Sequence, residues 1–338
     1  MPRHGKIIAS GYVCPRWLVG AHAQTVWPVI QPRASVAWLR ERVTTPDHDF
    51  WDFDWLDAPA KENAPLVILF HGLEGSSRSH YACSMMAAVA RRGWRGVVPH
   101  FRGCGGEINV TPRAYHMGDY SEIDAMLGAI HSRIPKKTTR YAVGVSLGGS
   151  ALLNWLGRHG KAATNTLAAA AAISTPIDVE QSAKAFDEGF NRLYERNFMI
   201  TLKHKARVIA QRYPDKVDPH KIAAVRTLTD FDDAVTAPLH GFENVTDYRR
   251  RASSRPWLNA IETPTLLLNA LNDPLVPAGS LPDEKETSPC VWIERPNEGG
   301  HAGFPVAGFS AASTSCAWMP QRVLTFFALN PFSREDAT

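Results

Sequence analysis

Apolar and polar residues follow three rhythms along this chain, and each predicts a different kind of element. Val36 to Val43 and Phe50 to Trp55 alternate, and with Thr45-Pro-Asp-His between them they predict an antiparallel hairpin. Leu66-Val-Ile-Leu-Phe70 is continuously apolar, the pattern of a strand covered on both faces of a parallel sheet. A helix is expected from His80 to Arg92, closed by Gly93, and a short strand at Gly96-Val-Val-Pro99. Asp119 with Glu122 resembles a capping box, and Tyr120, Ile123, Leu127, Ile130 and Ile134 mark one helical face behind it. Tyr141 to Val145 is the next strand, a helix runs on to Gly160, and Leu167 to Ser174 is a further strand.

This β-α-β alternation predicts an α/β fold with a doubly wound, mostly parallel sheet. Residues 1–34 show little periodicity and read as an irregular N-terminal arm. From 177 to 258 the alternation stops, and the stretch reads as a helical cap or lid inserted into a sheet domain formed by 35–176 and 259–332. Phe186, Phe190, Tyr194 and Phe198 within it are expected to pack the cap on the body. Its basic residues, among them Lys203, Lys205, Arg207 and Arg212, are expected on a solvated face. Strands resume at Thr265 to Asn269 and Val291 to Glu294, and a final helix is expected from Met319 to Leu329.

Composition narrows the class without naming it. With 44% hydrophobic and 21% charged residues, the 338-residue chain can bury a large core. A net charge of +4 is too small to argue for nucleic acid, and no nucleic-acid partner is expected. Cys14, Cys83, Cys104, Cys290 and Cys316 are odd in number and never form C-x-x-C, which favours reduced thiols. No metal-binding motif stands out among the 13 histidines, so neither metal nor cofactor is expected. Without a secretion signal or a run of roughly 18 to 20 apolar residues, a cytoplasmic protein is expected. Peripheral contact of the basic segment with a lipid surface is the minority expectation.

The candidate chemistry centres on Gly144-Val145-Ser146-Leu147-Gly148, a G-x-S-x-G pattern between a strand and a helix. Alone, a serine between glycines is more often a turn or a helix N-cap. As a nucleophile, Ser146 needs a base to take its proton and a carboxylate to orient that base. In strand-turn-helix sites of this kind they follow in the order Ser, Asp/Glu, His. Asp273 follows an apolar strand, and His301 is the only histidine after it. Asp230, Asp232 and Asp233 compete for the acid role, but they lie in the inserted segment. Backbone N–H groups of Leu73 and Leu147 are the expected donors to an oxyanion. His71 is expected to shape the loop before Leu73. The Gly103–Gly106 loop lacks both the phosphate-loop and the dinucleotide spacing, and is expected at the rim of the site.

The ordered set of motifs resembles the α/β-hydrolases, and more narrowly the YheT-type hydrolases related to the human abhydrolases that act on lipid esters. It comprises Gly20-Ala-His-Ala-Gln-Thr25, His71-Gly-Leu-Glu-Gly-Ser76, Phe101-Arg-Gly-Cys-Gly-Gly106 and Arg113-Ala-Tyr-His-Met-Gly118. The Gly144–Gly149 elbow, Asp230-Phe-Asp-Asp-Ala-Val-Thr-Ala-Pro238, Asn272-Asp-Pro274 and Gly299-Gly-His301 complete it. The resemblance implies a Ser146/Asp273/His301 triad and carboxylester hydrolysis, and marks His22 and His116 as positions typical of the family. The resulting expectation is a serine hydrolase of short- to medium-chain acyl esters. Acyl transfer by the same residues, or ligand binding without catalysis, are the alternatives.

Overall fold

The computed structural model describes residues 4–307 and 317–329, so Cys316 and residues 330–332 of the expected sheet domain lie outside it. Among the described residues the strands are β1 (Lys6–Ile8), β2 (Trp38–Thr44), β3 (Phe50–Leu56), β4 (Leu66–Phe70), β5 (Arg95–Pro99), β6 (Arg140–Val145), β7 (Ala169–Ile173), β8 (Thr265–Leu268) and β9 (Val291–Glu294). They form one sheet in the order β1-β9-β8-β7-β6-β4-β5-β3-β2. β2 and β3 make the expected hairpin, and β3 joins β5 antiparallel. All the other pairings are parallel.

Helices cover both faces of this sheet, which is why its central strands carry no polar side. Leu66, Ile68 and Phe70 of β4 enter the core under α3 (Tyr120–His131) and α4 (Leu147–His159). Val67 and Leu69 enter the opposite core, with α2 (His80–Arg91) and α11 (Trp318–Ala328). Between β7 and β8 the chain leaves the sheet for six helices: α5 (Val179–Phe186), α6 (Asn191–Arg212), α7 (Pro219–Ala224), α8 (Leu228–Phe231), α9 (Ala237–Leu239) and α10 (Val245–Ala252). A π-helical turn, Asp232–Thr236, joins α8 to α9. None of the described helices is long and apolar enough to cross a membrane.

Two differences from the sequence reading stand out. The N-terminal arm is not irregular throughout: β1 extends the sheet beside β9, and α1 (Ala21–Ile30) packs near its carboxyl edge. A three-residue strand and a helix containing Pro28 leave too little periodicity to read. Asp119 does cap α3 by accepting from the Glu122 N–H, but the box is only half closed. Glu122 turns inward, where its Oε1 accepts from Arg102 Nε at 2.8 Å and Trp51 Nε1 at 2.6 Å.

Arg102 is the hub of that buried cluster, also reaching Asp47 at 2.8 Å and Asp49 at 3.1 Å. Removing it leaves the buried Asp49 without a guanidinium and Glu122 with only Arg113, at 3.3 Å, a loss of about 3–5 kcal/mol by analogy with other broken buried pairs. Arg102→Ala is therefore expected to lower the urea midpoint sharply without changing the slope of the transition.

Candidate active site

Parallel sheets gather loop residues at the carboxyl ends of their strands, and four such ends converge here. β4 leads into the Gly72–Gly75 turn, β6 into Ser146, β8 into Asp273 and β9 into the His301 loop. Ser146 sits at φ 53°, ψ −119°, a strained backbone for a side chain, costing about 1–3 kcal/mol. Its neighbours make that bend possible. A Cβ at Gly148 would lie 2.4 Å from the Phe70 carbonyl oxygen, and one at Gly144 would lie 2.5 Å from the Gly149 Cα. The Ser146 N–H is tied to the Ile173 carbonyl of β7 at 2.9 Å.

His301 Nε2 lies 3.0 Å from Ser146 Oγ, and His301 Nδ1 lies 2.9 Å from Asp273 Oδ2. Because the carboxylate can only accept, Nδ1 carries the ring proton and Nε2 turns a lone pair to the serine. Asp273 is itself fixed, its Oδ1 accepting from the N–H groups of Leu275 at 2.9 Å and Val276 at 3.1 Å. The competing aspartates have other partners. Asp230 closes a capping box with Thr227, Asp233 accepts from the Val245 N–H, and Asp232 accepts from Thr236.

The loop carrying His301 is held from α1, a support the sequence reading missed. Thr25 Oγ1 accepts the His301 N–H at 2.9 Å. The fully buried Gln24 accepts from the Gly299 N–H at 2.9 Å and from Asn272 at 2.8 Å. Asn272 in turn accepts the Gly300 N–H at 3.1 Å. Their signal was the polar pair Gln24-Thr25 at the end of a motif whose role the spacing did not reveal. Gly300, at φ 61°, allows no side chain, since a Cβ would meet Thr25 at 2.7 Å.

On the opposite side of Ser146, the Gly72–Gly75 turn is closed by the Gly75 N–H on the Gly72 carbonyl at 3.0 Å. The same carbonyl faces His71 Nδ1 at 2.8 Å, while His71 Nε2 accepts the Phe101 N–H at 3.1 Å. Nδ1 is therefore the donor. Burial holds His71 far below its usual range, at about 3, so this neutral tautomer persists at working pH. His71 has the shaping role expected of it. Leu147 opens α4, where its N–H has no acceptor within the helix.

A cavity of about 420 Å³ opens over Ser146 and His301. Its apolar wall includes Val29, Leu73, Phe198, Leu202, Phe231 and Val235. Phe186, Tyr194 and Phe198 were expected to serve packing between cap and body, but all three line this cavity. Four-residue spacing puts aromatics on one helical face and does not say whether that face meets protein or space. Only Phe190 stays outside, exposed and against the His22 ring. Asp232 also lines the cavity, and burial raises its carboxyl to about 7 despite the hydrogen bond from Thr236.

His116 reaches both this cavity and a neighbouring polar pocket, where it stacks edge-on against His240. His116, Asp119 and His240 bring three ligand-type atoms within 4.8 Å of one another, a grouping invisible in the sequence. Arg113 already donates to Asp119 at 2.7 Å, the Gly118 N–H occupies His116 Nδ1, and Arg158 and Arg251 line the same pocket. That positive charge opposes a cation there. The four described cysteines are free thiols.

A strand-turn-helix serine, hydrogen-bonded to a histidine delivered after the last strand, is an arrangement shared by hydrolases built on this sheet. The chain belongs to the α/β-hydrolase fold family, whose sequence pattern matches residues 65–307. Among its relatives, the putative esterase YheT of Escherichia coli is 35% identical over 88% of this chain and 87% of that protein. Human phospholipase ABHD3 is 27% identical over 89% of this chain and 75% of its own length. An esterase of Pyrococcus furiosus shares the fold, with a TM-score of 0.55, 15% identity and coverage of 96% and 98% of the two chains.

Two measurements check this geometry. Gln24→Ala leaves the Gly299 N–H and the Asn272 amide without their acceptor, and is expected to cost about 1–3 kcal/mol in urea unfolding. Asp232 binds its proton more tightly folded than unfolded, so it lowers stability as pH rises from about 4 to about 7. Asp232→Asn is expected to raise the melting temperature at pH 8 by several degrees and leave it unchanged at pH 4, read by scanning calorimetry.

Proposed function

We propose that this chain hydrolyses carboxylic esters with short- to medium-length acyl groups through a covalent acyl-serine. The observation that carries the reading is the continuous Ser146–His301–Asp273 hydrogen-bond chain at the wall of an apolar cavity. In the reaction Ser146 Oγ attacks the ester carbonyl carbon while His301 Nε2 takes its proton. Asp273 holds the imidazole in the accepting tautomer and stabilises the imidazolium that forms. The N–H groups of Leu73 and Leu147 donate to the oxyanion of the tetrahedral intermediate. Collapse expels the alcohol, which takes the proton from His301, and the acyl group stays on Ser146. Water then attacks with His301 again as base, releasing the carboxylic acid and restoring the serine.

The helical segment between β7 and β8 acts as a cap that supplies the acyl-binding wall. The cavity falls in the range of small-molecule sites, about 300–1,000 Å³, and its mainly apolar lining suits an acyl chain better than a charged group. Relatives named as a putative esterase and a phospholipase support the reading.

Ser146→Ala is expected to lower turnover of p-nitrophenyl acyl esters by roughly 10⁴- to 10⁶-fold and to abolish labelling by a fluorophosphonate. Turnover within tenfold of the parent in a clean preparation would overturn the proposal. Profiling parent activity from acetyl to dodecanoyl esters fixes the acyl length.

A further inference from the structure

Glu74 occupies a position where a side chain is a liability. The Gly72–Gly75 turn places it third, at φ 54°, a conformation that such turns normally reserve for glycine or asparagine. Left-handed backbone costs an ordinary side chain about 1 kcal/mol or more. What the carboxylate touches accounts for its presence. Tyr115 Oη accepts the Glu74 backbone N–H at 2.9 Å and donates to Glu74 Oε1 at 2.7 Å. Lys205, from the middle of α6, donates to the same Oε1 at 2.7 Å.

This cluster is half-buried and correctly charged. The side chains of Lys205 and Glu74 are 22% and 9% exposed. Burial alone would lower the Lys205 ammonium, but the Glu74 carboxylate beside it outweighs burial and holds it above its ordinary range. Burial pushes the Cys104 thiol up to about 11, so it is neutral, and the ion pair of the cluster is the one between Lys205 and Glu74. Lys205 thus departs from the solvated face expected for the basic residues of its segment.

The turn bears directly on the reacting serine. A Cβ at Gly72 would lie 3.2 Å from Ser146 Cβ, so the backbone of the turn abuts the serine. Gly72 C=O and Leu73 N–H belong to one planar peptide and point in opposite directions. With Gly72 C=O drawn to His71 and the Gly75 N–H, the Leu73 N–H faces away from both. The next peptide is fixed from its other end by Tyr115 on the Glu74 N–H. Releasing Glu74 lets the turn relax out of positive φ and carries Leu73 with it.

We propose that Lys205 and Tyr115 are positioning residues that clamp Glu74 in its left-handed conformation, so that the helical segment between β7 and β8 sets the Leu73 N–H as oxyanion donor. The proposal rests on the serine-hydrolase reading above. It makes formation of the oxyanion site conditional on α6 being seated, since Lys205 reaches Glu74 only from there.

The test uses the full chain with a p-nitrophenyl acyl ester and a fluorophosphonate probe. Lys205→Met is expected to lower kcat by about 10- to 100-fold, somewhat less than deletion of an oxyanion donor, with KM within about threefold. Labelling of Ser146 should slow in parallel. The decisive variant adds Glu74→Gly. Glycine holds positive φ without an anchor, so Lys205→Met/Glu74→Gly is expected to recover most of the lost kcat. A lysine that merely packs the segment onto the body would not be rescued at position 74. Tyr115→Phe keeps the ring, stacked on Phe101 at 5.2 Å, and removes only the hydroxyl. It should show the same fall in kcat, and it carries the test if Lys205→Met does not fold. Lys221→Met, on the exposed surface of the segment, is the unchanged control. Parental kcat in both Lys205→Met and Tyr115→Phe, or a loss that Glu74→Gly leaves untouched, overturns the clamp alone. A parent chain that neither labels nor turns over esters overturns the hydrolase reading, and the clamp with it.

Discussion

The site depends on a steric contact that leaves no room for even one carbon atom. Gly148, in the first turn of α4, lies so close to the carbonyls of Phe70 and His71 that a Cβ would overlap both, at 2.4 and 2.5 Å. This approach brings the end of β4 against the start of α4. It sets the Gly72–Gly75 turn and the Ser146 bend side by side, the two features that proposed nucleophile and proposed oxyanion donor each require. The strain at Ser146 is tolerated because the paired strands on either side, β4 and β7, are buried and cannot yield.

Around that rigid centre the remaining groups are placed by hydrogen bonds rather than by packing. Asp273 and His301 sit on loops, and loops need partners to hold a side chain to within a fraction of an ångström. Asp273 finds them in its own next turn, through Leu275 and Val276. His301 finds them in α1, through Thr25 and, by way of Gly299, Gln24, and in the loop after β8, where Asn272 holds Gly300. The fold thus divides the work: sheet and elbow supply stiffness, and a polar network from a distant stretch supplies aim.

How far the sequence could be read follows from this division. The parallel strands were legible because burial on both faces leaves a continuous apolar run, as in Leu66–Phe70. The Ser146, Asp273 and His301 positions were legible because strand ends and chain order constrain them, and the structure brings these three together. α1 and β1 were not, since Pro28 and a three-residue strand hide their periodicity. The cavity lining was misread because helical spacing places Phe186, Tyr194 and Phe198 on a face without revealing what lies opposite. Lys205 was misread for a related reason. Its partner Glu74 is 131 residues away, and no local pattern announces a half-buried ion pair.

The bracing of His301 by α1 also fixes when the site can come into being. Gln24 and Thr25 meet their partners across 275 and 276 residues of chain. Contacts of such separation form late, after the entropy of closing a very long loop has been met by the sheet between them. A chain emerging from the ribosome can build the elbow around Ser146 long before β9 exists, so a strained serine is present without the imidazole beside it. Until the stretch around Gln24 and Thr25 joins the loop around His301, the proposed nucleophile has no proton acceptor held beside it.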